Sequence, residues 1–109
     1  MTEPTTLLRG TLDVLILRTL RAGELHGYGV AASLEAHSGG VLRIEDGALY
    51  QSLHRMEARG WVDSAWGHAD SGKRAKFYHL TAAGARQLEI ETEQWLRYAD
   101  AVFRVLQPA

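Results

Sequence analysis

Residues 45–61 read EDGALYQSLHRMEARGW, a stretch in which several side chains could recognise a partner from one surface. Gln51 can donate and accept hydrogen bonds at base edges, Tyr50 can reach a phosphate or a thymine methyl, and Arg55 can bind phosphate. Gly47 and Ala48 are small enough to let a helix backbone come close to a partner. On a wheel of about 100° per residue, Leu49, Leu53 and Met56 share one narrow sector. Gly47, Gln51, His54 and Ala58 lie opposite, with Tyr50 and Arg55 on the flanks. That is a helix docked by its apolar side and free on its polar side. Taken alone, it is equally a packed helix whose outer face is merely wet.

A second group bears on that choice. Lys73, Arg74 and Lys76 put three cations into four positions beyond a turn bounded by Gly67 and Gly72. In an extended strand Arg74 and Lys76 point to the same side, so both can meet one phosphate backbone. The formal net charge of −1 is poor support for a nucleic-acid binder, but electrostatic footprints are local. Acids collect elsewhere, at Glu89, Glu91, Glu93 and Asp100, so the charge is segregated along the chain.

Catalysis and metal binding find little support. His26, His37, His54, His68 and His79 are scattered without helical ligand spacing, and the chain has no cysteine. Ser64, His68 and Asp70 fall on an exposed hairpin where water is not excluded. Gly27-Tyr28-Gly29 is half of a dinucleotide fingerprint without a preceding βαβ strand. No enzyme activity, cofactor or metal is expected.

Periodicity and punctuation give the helices and strands on which these residues are carried. Thr5 and Thr6 are expected to cap a first helix running to about Arg21, with Leu8, Leu12, Leu15 and Thr19 as a stripe widened by Ile16 and Leu20. A second helix is expected from Gly27 to about Ser38, with Tyr28, Ala31, Leu34 and Val30 inward and Gly39-Gly40 as its stop. Val41 to Ile44 is a short extended piece, after which Asp46 caps the third helix and Arg59-Gly60 closes it. Trp61 to Trp66 and Ala75 to Leu80 read as the two strands of a hairpin. Thr81 caps a last helix that continues to about Leu106.

Three short helices followed by a hairpin is the order of a winged helix-turn-helix, whose third helix enters the major groove and whose hairpin tip is the wing. The expected fold is mostly α with a small β-hairpin (α+β). Residues 1–80 form the winged helix-turn-helix DNA-binding domain and 81–109 a C-terminal dimerisation helix. In that helix Ala85, Leu88, Thr92, Trp95, Ala99, Val102 and Leu106 follow the alternating spacing of a coiled-coil seam. At 1.5 Å per residue it is about 38 Å long, more than so small a domain can cover, so the overhang is expected to pack on a second copy. Trp95 pairs across such an interface could stack on a flat aromatic effector, although filling the interface is the plainer role.

The chain of 109 residues is enough for one core, and 46% apolar with 23% charged residues argues against disorder. Met1-Thr2-Glu3-Pro4 lacks a basic leader region, and the apolar run Leu12 to Leu17 contains Asp13 and is too short to span a bilayer. A soluble, cytoplasmic protein without membrane contact is expected.

Four segments carry a family resemblance: LLRGTLDVLILRTL (7–20), LHGYGVAASLE (25–35), GALYQSLHRMEARGWV (47–62) and KRAKFYHLTAAGARQL (73–88). In this order they resemble the PadR family of winged-helix transcriptional regulators, and most of all its short members with a single C-terminal helix. The resemblance implies a homodimeric repressor that binds an inverted-repeat operator in double-stranded DNA. Gly47, Ala48, Tyr50 and Gln51 would begin the operator-reading helix, with His54 and Arg55 nearer the backbone. Lys73, Arg74 and Lys76 would form the basic wing, and Tyr28 would open the positioning helix. The last helix would pair with the partner's first helix, making Leu8, Leu12, Leu15, Leu88, Thr92, Trp95, Ala99, Val102 and Leu106 the dimer interface. Relatives that sense aromatic compounds do so at that interface, where Trp95 would be the ligand-binding residue. His79 and Asp70 depart from the basic pattern and would weaken the phosphate attraction. Two other readings stand beside this one: a regulator governed by an aromatic ligand, and a winged-helix module serving only protein contact.

Overall fold

The computed structural model describes residues 5–6 and 10–108. Along them run β1 (Thr5–Thr6), α1 (Thr11–Arg21), β2 (Leu25–His26), α2 (Gly27–His37), β3 (Leu42–Arg43), α3 (Asp46–Ala58), β4 (Val62–His68), β5 (Arg74–Leu80) and α4 (Ala82–Leu106). This is the expected α+β winged helix, with two strand pairings that periodicity did not reveal.

The first departure lies at the start. Thr5 and Thr6 do not cap α1; they pair in parallel with Leu42 and Arg43. Gly10 sits at φ 91°, in the left-handed region, immediately before the first helical turn. A right-handed helix cannot pass through that conformation, so α1 begins at Thr11. Leu8, assigned above to the dimer interface, lies outside the described residues. Val14, Ile16, Leu17 and Leu20 are buried, while Leu12 and Leu15 pack against the core with part of their surface showing.

At the start of α2, the His26 ring nitrogen Nδ1 accepts a hydrogen bond from the Gly29 amide (2.9 Å) and caps the helix. Starting at Gly27 fixes the helical phase, so Gly27, Val30 and Leu34 turn inward. Tyr28, expected inward, falls about 100° off that face and is 79% exposed. His26 and Leu25 also pair antiparallel with Phe77 and Tyr78, adding a third strand to the hairpin in the order β2-β5-β4. Two residues are too few to show alternation in a sequence.

Leu49, Leu53 and Met56 dock α3 on the core as expected, joined by Ser52. Asp46 is the first helical residue rather than its cap, a position held by Glu45 without a side-chain bond. Gly60, at φ 78°, reverses the chain after α3. Its neighbour Trp61 donates its amide to the Met56 carbonyl (2.9 Å). The hairpin then runs in register from Val62 opposite Leu80 to His68 opposite Arg74.

Thr81 caps α4 as expected, its hydroxyl oxygen accepting from the Gly84 amide at 3.0 Å and donating to the Gly60 carbonyl at 2.6 Å. Gly84 is obligatory in this packing, because a Cβ there would collide with the Trp61 carbonyl oxygen. Leu88 is 2% exposed and belongs to the chain's own core, with Val14, Leu17, Val62 and Tyr78. Its assignment to a dimer interface is therefore corrected: the first turns of α4 serve the same subunit. Beyond Leu88 the helix leaves the core, and Leu96, Phe103, Val105 and Leu106 are each at least 60% exposed.

Candidate nucleic-acid interface

The outer surface of α3 begins with exposed Gly47 and Ala48, followed by exposed Gln51 and His54. A side chain at Gly47 would meet nothing within 4 Å, so the helix start is open to a close approach. Tyr50 does not simply stand outward. Its ring crosses to the start of α2 and lies over Gly27, where an added Cβ would sit 2.6 Å from the Tyr50 hydroxyl. Gly27 thus makes room for Tyr50, and the start of α2 sets the direction of the aromatic ring carried by α3.

Arg55 has a different partner from the one expected. Its Nη2 donates to both carboxylate oxygens of Asp13, at 2.6 and 2.7 Å, and to the Ser52 hydroxyl at 3.3 Å. In the chain without DNA, its side chain joins α3 to α1, and Asp13 offsets its charge.

The hairpin tip closes through Ala69, whose amide donates to the Lys73 carbonyl and whose carbonyl accepts from the Gly72 amide, both at 2.8 Å. Gly72 adopts φ 85° there, a conformation that disfavours other residues. Lys73 and Arg74 are exposed at this tip. Lys76, farther down β5, has its Nζ 3.4 Å from Glu57 Oε1 on α3. Glu57 also accepts a hydrogen bond from the Ser64 hydroxyl, which pulls its carboxyl below the ordinary range despite some burial, with Lys76 assisting. Lys76 therefore links the hairpin to α3. His79 lies on the opposite face of β5 by strand alternation, 3.7 Å from Asp63, so its departure from a basic residue does not touch this surface.

Between α2, α3 and the hairpin runs an open cleft of about 890 Å³. Tyr28, Tyr50, His54, Lys73, Arg74 and Lys76 all border it. Gly47, Ala48 and Gln51 continue the same exposed surface along α3 but are not among its lining residues, and Arg55 faces away toward α1. Trp66 and His26 also line the cleft, and sequence reasoning missed both. For Trp66 the available signal was a large aromatic at the end of the first hairpin strand; the register that sets it opposite Lys76 came from the pairing itself.

Trp95 donates its indole N–H to the Thr11 hydroxyl (3.1 Å) and is 38% exposed. It ties α4 to the first turn of α1. Thr92 and Ala99 are partly covered, whereas Val102 and Leu106 are exposed. No helix among the described residues is long and apolar enough to cross a membrane.

Comparison with known proteins places this architecture. Residues 16–90 match the model of the transcriptional regulator PadR-like family. A transcriptional regulator of Mycobacterium tuberculosis is 32% identical over 80 residues, which span 73% of this chain and 71% of that protein. A PadR family transcriptional regulator from Eggerthella lenta is 35% identical, with a TM-score of 0.75 over 93% of this chain and 86% of that one. A transcriptional regulator from Clostridium thermocellum shares the fold at a TM-score of 0.82 and 24% identity, covering 91% of this chain and 96% of its own. The family model covers the second half of α1, all of α2 and α3, the hairpin and the first turns of α4, and on that match the chain belongs to the PadR-like family of transcriptional regulators.

Proposed function

We propose that this regulator binds double-stranded DNA in the cytoplasm as a homodimer and represses transcription from an inverted-repeat operator. The observation that carries the reading is the convergence of Tyr28, Tyr50, His54, Lys73 and Arg74 on one cleft beside the open start of α3. In this reading the α3 start enters the major groove, with Tyr50 and Gln51 at base edges and Lys73 and Arg74 on the flanking backbone. Residues 1–80 act as the DNA-binding body and 81–109 as the dimerisation helix. The acids of α4 lie on the element assigned to dimerisation, so the small net negative charge of the chain does not oppose the contact. Two-fold symmetry sets the half-sites about 34–36 Å apart.

The test is selection of bound sequences by the purified protein, followed by affinity measurements on the selected site across salt concentrations. With about four to six phosphates neutralised per dimer, log K falls against log salt with a slope of about −4 to −5. Lys73→Glu combined with Arg74→Glu abolishes binding and leaves the dimer intact. A double variant that still binds the site, or a wild-type affinity indifferent to salt, counts against DNA binding and favours a protein-contact module.

A further inference from the structure

Trp66 is the large side chain on this surface that the DNA-binding reading leaves without a role. It stands in β4 with 61% of its surface exposed, beside a cleft bordered by cations. Register and alternation put it on the same face as its cross-strand neighbour Lys76 and the diagonal neighbour Arg74. The Arg74 guanidinium lies over the indole, 4.4 Å from the ring centroid.

The partners of the nearby cations separate their roles. Arg55 is bound to Asp13, and Lys76 lies within ion-pair distance of Glu57. Arg74 instead has its guanidinium carbon over an aromatic face, a contact that restrains the group without supplying a counter-charge. A guanidinium resting on a ring face can keep its N–H groups free of that contact, and two of them can then grip a phosphate with parallel bonds. An arginine on an exposed hairpin would otherwise sample many rotamers and lose that freedom on binding. With the ring in place, part of that ordering precedes DNA contact.

We infer that Trp66 is a positioning residue of the wing: it holds Arg74 in the orientation that clamps a backbone phosphate, and its uncovered ring surface is buried by the same stretch of DNA. This rests on the DNA-binding reading above, and the test separates the two. Affinity for the selected site is measured across salt for the intact dimeric protein and for Trp66→Ala, Trp66→Phe, Arg74→Ala and the Trp66→Ala/Arg74→Ala double variant. Arg74→Ala should weaken binding at least tenfold and flatten the salt slope by about two per dimer, one phosphate per subunit. Trp66→Ala should weaken it about fivefold with little change of slope, because the charge remains but is no longer pre-oriented. Trp66→Phe should recover most of the loss, since a smaller ring still supports the guanidinium. The double variant should bind only slightly more weakly than Arg74→Ala alone, by less than the Trp66→Ala factor, because the orienting effect is already gone and only the ring's own contact with DNA remains to be lost. Addition of the DNA site should also change tryptophan fluorescence in the wild type, and most of that change should vanish in Trp66→Phe.

Trp66→Ala affinity equal to wild type, or single effects that multiply in the double variant, would overturn the inference while leaving DNA binding intact. A wild-type protein that shows no salt-dependent binding would instead remove the reading beneath it. Unchanged melting and dimer mass in each variant ensure that the comparison concerns contact rather than folding.

Discussion

Tyr50 shows how one missing side chain can set up a recognition surface. Its ring occupies the space that a Cβ at Gly27 would need, so α3 and α2 are in close contact at their exposed ends. Gly27→Ala should displace the ring rather than the backbone, because the collision involves a side chain that can rotate. Alanine is also the better helix former, which offsets part of the disturbance. The expected result is a melting midpoint changed by only a few degrees and an affinity for the operator lowered about tenfold. Parallel thermal melts and DNA titrations check this; equal losses in both would mean that Gly27 serves the core alone.

At the scale of elements, α1, α3 and α4 meet around a group of charges with an uneven balance. Arg55 joins α3 to Asp13 of α1, while Glu91 of α4 has a buried Oε2 without a hydrogen-bond partner among the described residues. Burial first, then the nearby Asp13 carboxylate, raises the Glu91 pKa above its ordinary value. An acid whose folded pKa is raised holds its proton more tightly in the folded chain than in the unfolded one. Its effect on stability is therefore most favourable below the unfolded pKa and is lost as pH rises through the folded value. Glu91→Gln should raise the melting midpoint by a few degrees at neutral pH, with the gain shrinking as pH falls into the ordinary carboxylate range. Circular-dichroism melts at both pH values test this. A gain of the same size at both would assign it to packing rather than charge.

For the whole molecule, the decisive feature is the half of α4 that the subunit does not cover. Only Gly84 and Leu88 of its 25 residues are buried, yet Leu96, Phe103, Val105 and Leu106 extend the apolar surface to its end. The molecule measures 54 × 36 × 21 Å along its principal axes. So long an apolar overhang on so small a body is the surface that a second copy would bury. Phe103→Asp together with Leu106→Asp should yield a folded monomer by sedimentation. Its affinity for a two-half-site operator should fall more than about a hundredfold, because each subunit must then bind alone. A double variant that remains dimeric would place the interface elsewhere.

The order of helices and hairpin, the inner face of α3 and the Thr81 cap were legible in the amino-acid sequence, because each is written in local periodicity or a single capping residue. The sequence also marked the surface at Tyr50, Lys73 and Arg74 by residue type. Which charges have partners within the chain emerged from the packing: Arg55 and Lys76 meet carboxylates from distant parts of the chain, Asp13 and Glu57. The same holds for Leu88, which is equally apolar in a seam or a core and was settled by what packs over it. Trp66 completes the case, since its place under Arg74 follows from hairpin register, a relation between strands that neither strand encodes alone.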